Sequence, residues 1–235
     1  AVSGYANAFL DNAALYLEQK ELFLGTLQAL TAAIDAKDRY TRGHSERVAH
    51  LSHQIALASG MSEEEAERIR IAGLIHDVGK IGVPEAVLTK QGRLTDHEFD
   101  LIKLHPQIGY HILEGIPALS DILPGVLYHH ERLDGKGYPS GLSGSEIPRI
   151  ASIIALADTF DAMSSTRSYR AALPRAKVLT EIERCMGTQF EPAIAKLFLT
   201  LDLSVYDEMV ARHAAASTPA STELAAEGGS GRQAA

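Results

Sequence analysis

This 235-residue sequence has no tryptophan, almost no cysteine and no excess of positive charge. Its single cysteine, Cys185, excludes an internal disulfide and suits a reducing compartment. Lys and Arg number 22 against 30 Asp and Glu, a net charge of -8 that argues against general nucleic-acid binding. No apolar run approaches the roughly 20 residues of a membrane span; Ile150 to Ala157 is among the longest. Zinc-finger spacings, internal repeats and sustained strand alternation are also missing. What is left is an all-α chain, long enough to bury a core without covalent staples. It begins at Ala1 with no signal-peptide pattern, so it is expected to be a piece of a longer chain.

Residues 6–38 read as one long helix without proline. Phe9, Tyr16, Phe23 and Leu30 recur every seven residues, with Ala13, Leu27 and Ile34 between them and Lys20 interrupting. Leu10, Leu17 and Leu24 form a second stripe alongside. Two readings stand: a parallel dimerising linker that carries a signal from an upstream domain, or a helix folded back on its own domain. The expected organisation is a helical linker over 1–38, a main domain over 39–213 and a disordered tail over 214–235, where Ala, Ser, Thr and Gly dominate.

Ten histidines are many for this length, and their placement matters more than their number. His44 heads the stripe Val48, Leu51, Ile55, Ala58, which has the spacing of a core-facing helix. Ser62 and Glu65 form a capping box for a helix leading into His76 and Asp77, with Lys80 on the Asp77 face. Thr95 and Glu98 repeat that pattern for a helix expected to end at His105, just before Pro106. His129 and His130 follow the apolar stretch 122–128 and diverge around one cavity. Residues 147–157 read as a buried helix that delivers Asp158. Singly, each has an ordinary reading as a satisfied core histidine, a surface pair or a helix cap. Together they make five imidazoles and two carboxylates, more than one ion needs. With no thiolate among them, they point to iron, manganese, zinc or nickel, in a pair bridged by a carboxylate, and so to phosphoester hydrolysis.

His44, His76-Asp77 with Lys80, His105, His129-His130-Glu131, Gly137-Tyr138-Pro139 and Asp158 together resemble the motif set of the HD-GYP family, from about Asp38 to Leu199. This family is the branch of the HD metal-dependent phosphohydrolases that degrades the bacterial messenger cyclic di-GMP. The resemblance implies a cytoplasmic helical bundle with a di-iron or di-manganese centre, opening the cyclic dinucleotide to pGpG and in some members on to GMP. It also implies His44, His76, Asp77 and Asp158 as the ligands common to HD enzymes. His105, His129 and His130 would serve the second metal, with Asp77 as the bridge. Lys80 matches a lysine near the scissile phosphate, and Arg167 and Arg170 match positions that hold substrate phosphates. Tyr138 would support the site or a partner surface. Some members carry a glutamate four residues before the first histidine and bind a third metal; Tyr40 stands there, so two ions are expected. Leu133 replaces a common Trp and Glu191 a common Asp, neither a proposed ligand. The competing readings are the same chemistry on another cyclic dinucleotide, such as cyclic GMP-AMP, and a metal-holding sensory or docking module without useful turnover.

Overall fold

A computed structural model of the chain describes residues 2–37, 43–165 and 172–216. Eleven α-helices lie within them: α1 (Val2–Lys37), α2 (His44–Ala58), α3 (Glu63–Ile75), α4 (Glu85–Leu88), α5 (Asp96–Ile102), α6 (His105–Leu113), α7 (Leu123–Tyr128), α8 (Arg149–Ser164), α9 (Arg175–Arg184), α10 (Pro192–Phe198) and α11 (Ser204–Ala216). Among the described residues the only β-pairings are two isolated bridges, Asp134 with Ser143 and Met186 with Phe190. No described helix is long and apolar enough to cross a membrane. Asp38, Tyr40, Arg167, Arg170 and the tail beyond Ala216 lie outside the described residues.

Local sequence explains most boundaries. Both capping boxes form: the Ser62 and Thr95 hydroxyls accept from the Glu65 and Glu98 amides, and each glutamate reaches back to its cap. His105 departs from expectation: α5 stops at Ile102, and His105 opens α6 with Pro106 in its first turn. Proline there removes an amide that would have no intrahelical acceptor anyway. Likewise α8 starts after Pro148 and continues past Asp158 to Ser164, so Asp158 is mid-helix.

The core is built around α2, which packs along α3 and α8, with α10 and α11 closing over it. Val48, Leu51 and Ile55 of the expected stripe are buried, and Ala58 is exposed. They meet Leu74, Ile75, Ile153, Leu156, Phe160, Phe198 and Tyr206 in one apolar cluster.

Helix α1 splits along its length. Leu27 and Ile34, 4% and 5% exposed, join this core, with Phe23, Leu24 and Leu30 packed against it. Tyr16 and Leu22, 67% and 71% exposed, have no such cover, nor do Leu10, Leu15 and Leu17. The same seven-residue stripe therefore serves the chain's own core from Phe23 onward, while Tyr16, one repeat earlier, faces outward.

After α3 a 3-10 turn, Val78–Gly82, packs against α6. A Cβ at Gly79 would run into the His105 carbonyl and the Gly109 amide, and backbone cannot swing aside as a side chain can. Gly79→Ala is therefore expected to push this turn off α6 and destabilise by ~1–3 kcal/mol or more. Gly25→Ala, with open space around it on the exposed side of α1, should be neutral or stabilising. Scanning calorimetry of the two variants checks this; equal melting temperatures would refute the close-approach argument.

Candidate metal centre

Three of the five candidate histidines are aimed by one local device. His76 and His129 are the C-cap residues of α3 and α7, and His105 lies three residues beyond Ile102, the last of α5. The last carbonyls of a helix have no intrahelical partner. Each histidine uses one: Nδ1 lies 2.6 Å from the Gly73 carbonyl for His76, 2.8 Å from Ile102 for His105 and 2.8 Å from Val126 for His129. A carbonyl can only accept, so Nδ1 donates and Nε2 is left with a bare lone pair.

These lone pairs converge. Nε2 of His105 and Nε2 of His129 face each other at 3.2 Å. Burial pushes the His105 pKa down to about 3, against the pull of Asp77, and lowers that of His129 well below its usual value. Neither nitrogen then carries a proton to share, and two lone pairs at that distance repel unless a cation lies between or beside them. Nε2 of His76 is fully buried and makes no hydrogen bond. Such atoms are costly inside a protein unless something binds them.

Asp77 stands at the middle. Its Oδ1 is 3.3 Å from His105 Nε2, and its Oδ2 is 3.3 Å from His76 Nε2 and 3.6 Å from His44 Nε2. The donors form two groups that share this carboxylate: Asp77 with His105, His129 and His130, and Asp77 with His44 and His76. Asp158 adjoins the second, its Oδ1 3.2 Å from His44 Nε2. Burial alone would raise the Asp77 pKa, but Lys80, 2.6 Å from Oδ2, with His76 and His44 holds it well below the carboxylate range. Asp158 is lowered in the same way by His44, against burial. His130, with its ring centroid 4.1 Å from that of His129 and 5.0 Å from that of His105, is pushed down by burial to about 4. Neutral imidazoles and ionised carboxylates of this kind are the donor set that divalent transition ions require. The expected ligands His44, His76, Asp77, His105, His129, His130 and Asp158 are thus brought together, with Lys80 at their edge. Arg167 and Arg170 lie outside the described residues.

Residues that were not expected as ligands support the centre. Glu131, buried, accepts the amides of Ser140, Gly141 and Leu142 at 2.7, 3.1 and 3.0 Å and so pins the Gly-Tyr-Pro loop. Gly137 lets that loop lie on the chain at His130–Arg132, where a Cβ would collide with backbone. Tyr138 is thereby set against the His130 ring, centroids 4.7 Å apart. Asp35 of α1 accepts from Ser45, next to His44, at 2.9 Å. Asp161 of α8, fully buried, bonds His44 Nδ1 at 2.7 Å. The i, i+3 spacing of Asp158 and Asp161 was the readable signal for the last of these.

The depressed histidine values have a consequence for stability. Between about pH 4 and the unfolded value near 6.5, the unfolded chain takes up protons that the folded His105 and His130 refuse. Asp77 and Asp158 stay ionised throughout that window and add no slope. The metal-depleted protein should therefore melt at a lower temperature at pH 5 than at pH 7, and calorimetry across that range checks it. A flat profile would mean these imidazoles are not held neutral in the folded state.

Comparisons with known proteins agree with this geometry. Residues 28–194 match the HD domain family. A cyclic di-GMP phosphodiesterase of Thermotoga maritima is 40% identical over 194 residues, 82% of this chain and 53% of that protein. A 3'3'-cGAMP-specific phosphodiesterase of Vibrio cholerae is 41% identical over 159 residues, 68% of this chain and 35% of that protein. The chain thus spans about half or less of the length of these relatives. Among solved structures, a cyclic GMP-AMP-specific phosphodiesterase of Vibrio cholerae superposes with a TM-score of 0.59 at 17% identity, covering 80% of this chain and 50% of that one. The shared fold, the family match and the His-Asp centre together show that the chain belongs to the HD domain family, in its HD-GYP branch.

Proposed function

We propose that this domain hydrolyses cyclic di-GMP to linear pGpG, with GMP as the product of a further cleavage. Two divalent ions, iron or manganese ahead of zinc or nickel, would serve the reaction. The observation that carries this reading is the placement of Asp77, with one carboxylate oxygen toward each of two histidine groups. The relative from Thermotoga maritima supports the substrate. When bound, such ions supply the positive charge that polarises a phosphodiester and acidifies water.

The residues divide the remaining work. His44, His76 and Asp158 would hold one ion and His105, His129 and His130 the other, with Asp77 shared by both groups. Lys80 keeps an ammonium beside the bridge, where it would offset charge developing on the phosphate. Arg167 and Arg170 are assigned to the phosphates of the substrate and Tyr138 to the wall of its pocket. Cyclic GMP-AMP is the second reading, supported by the 3'3'-cGAMP-specific relative.

Asp77→Ala should abolish both metal uptake and hydrolysis. Lys80→Ala should keep the two ions and lose most turnover, on the order of 100-fold or more, as expected for removal of one preorganised charge. Elemental analysis after anaerobic loading, with cleavage assays on a panel of cyclic dinucleotides, reads both effects. Equal metal loss in the two variants would remove the distinction between bridge and charge. Cleavage of cyclic GMP-AMP with none of cyclic di-GMP would select the second reading.

The outer half of α1 is the proposed contact between two copies of the chain, downstream of a sensory or receiver domain. Tyr16, and Leu10 and Leu17 of the stripe beside it, are exposed and carry the seven-residue repeat of a parallel two-helix seam. The inner half ties this seam to the centre. Thr31 Oγ1, which donates to Leu27 in its own helix at 2.9 Å, lies 3.3 Å from the Leu74 carbonyl, and Lys37 Nζ donates to those of Ile81 and Val83 at 2.8 Å each. Sedimentation should show a dimer, and Tyr16→Glu combined with Leu17→Glu should give a monomer. A monomeric unsubstituted protein would sink the idea.

A further inference from the structure

His44 is aimed differently from His76, His105 and His129. It is the first residue of α2. Its Nδ1 instead meets Asp161 Oδ2 at 2.7 Å, in the middle of the buried helix α8. On the same face and one turn earlier, Asp158 meets Nε2 of the same ring at 3.2 Å. One helix thus contacts both nitrogens of one imidazole.

Asp161 is itself fully occupied. Arg47 donates through Nε to Oδ1 at 2.6 Å and through Nη2 to Oδ2 at 3.0 Å. The Tyr206 hydroxyl, from α11, donates to Oδ1 at 2.9 Å, and Ser165 Oγ lies 3.3 Å from Oδ2. Tyr206 is 1% exposed, its ring 5.2 Å from Phe160, with the Arg175 guanidinium over both rings. A carboxylate with both oxygens already bonded is a poor metal ligand and a stiff hydrogen-bond acceptor.

We propose that Asp161 is a positioning residue that sets the tautomer and direction of His44 for the metal group it shares with His76 and Asp77, and that Tyr206 makes helix α11 part of that support. The proposal rests on the metal reading above. It supplies for His44 what carbonyls supply for the other three, a fixed acceptor on the nitrogen away from the ion. Outer acceptors of this kind typically change metal affinity 10- to 100-fold.

The test uses the full chain, stripped of metal, and has two arms. In the first, ring ¹⁵N shifts of labelled histidines report the tautomer of His44 without any ion. The unsubstituted protein should show Nδ1 protonated, and Asp161→Asn should disturb that state while His76, His105 and His129 keep theirs. In the second, calorimetric titration with Mn²⁺ should show one of two binding steps weakened about 10- to 100-fold in Asp161→Asn. Tyr206→Phe should weaken the same step a few-fold with helicity unchanged. If Asp161→Asn does not fold, Tyr206→Phe decides alone: the same step weakened supports the role, and an unchanged titration overturns it. A lowered melting temperature with unaltered titration and tautomer, or equal weakening of both steps, would make Asp161 a structural tie only. If the unsubstituted protein takes up no Mn²⁺, the metal reading fails, and the tautomer arm still decides whether Asp161 sets His44.

Discussion

An ionised carboxylate held inside a shell of imidazoles is the constraint around which this domain is arranged. Asp77 is 5% exposed and stays charged because Lys80, His76 and His44 outweigh the penalty of its burial. An isolated charge in such a place costs several kcal/mol even after relaxation, so its neighbours have to be held in position. That requirement reaches every helix that touches it. The N-terminus of α2, the C-termini of α3, α5 and α7 and the middle of α8 each deliver one or two donors to a single point.

The ends of helices suit this task for a simple reason. A terminal turn has carbonyls left over, and a histidine placed there can donate to one of them with Nδ1 while projecting Nε2 beyond the helix. His76, His105 and His129 do so at 2.6 to 2.8 Å. Orientation is thus settled within three or four residues of chain, before any long-range contact forms. His44 is held by Asp161 of α8, and so its direction depends on packing between helices.

Around this shell the backbone comes unusually close. Gly79 allows the turn carrying Lys80 to touch the first residues of α6, and Gly137 allows the Gly-Tyr-Pro loop to lie on the chain beside His130. Glu131 then ties the loop down through three amides. The acid that follows the histidine pair is therefore structural, and the tyrosine it positions is the group that reaches the site. Helix α1 adds a second layer. Its inner half hydrogen-bonds to residues next to His44 and to the turn bearing Lys80, while its outer half carries leucines that are exposed among the described residues.

Several features were legible in the residues themselves. The all-α class, both capping boxes, the buried stripe of α2 and the seven candidate ligands follow from helical periodicity and from donor chemistry, which are local properties. The i, i+3 pairing of Asp77 with Lys80 was readable for the same reason. What needed the tertiary structure was whatever depends on distance between segments far apart in the chain. Asp77 faces two groups only because α3 ends between α2 and the α5–α6 junction. Asp161 reaches His44 across 117 residues, and Tyr206 reaches Asp161 across 45. The seven-residue stripe of α1 could not reveal where its core half ends, because apolar periodicity records that a face is covered and not by what. Covalent spacing sets which side chains share a helix face; only packing sets which faces meet.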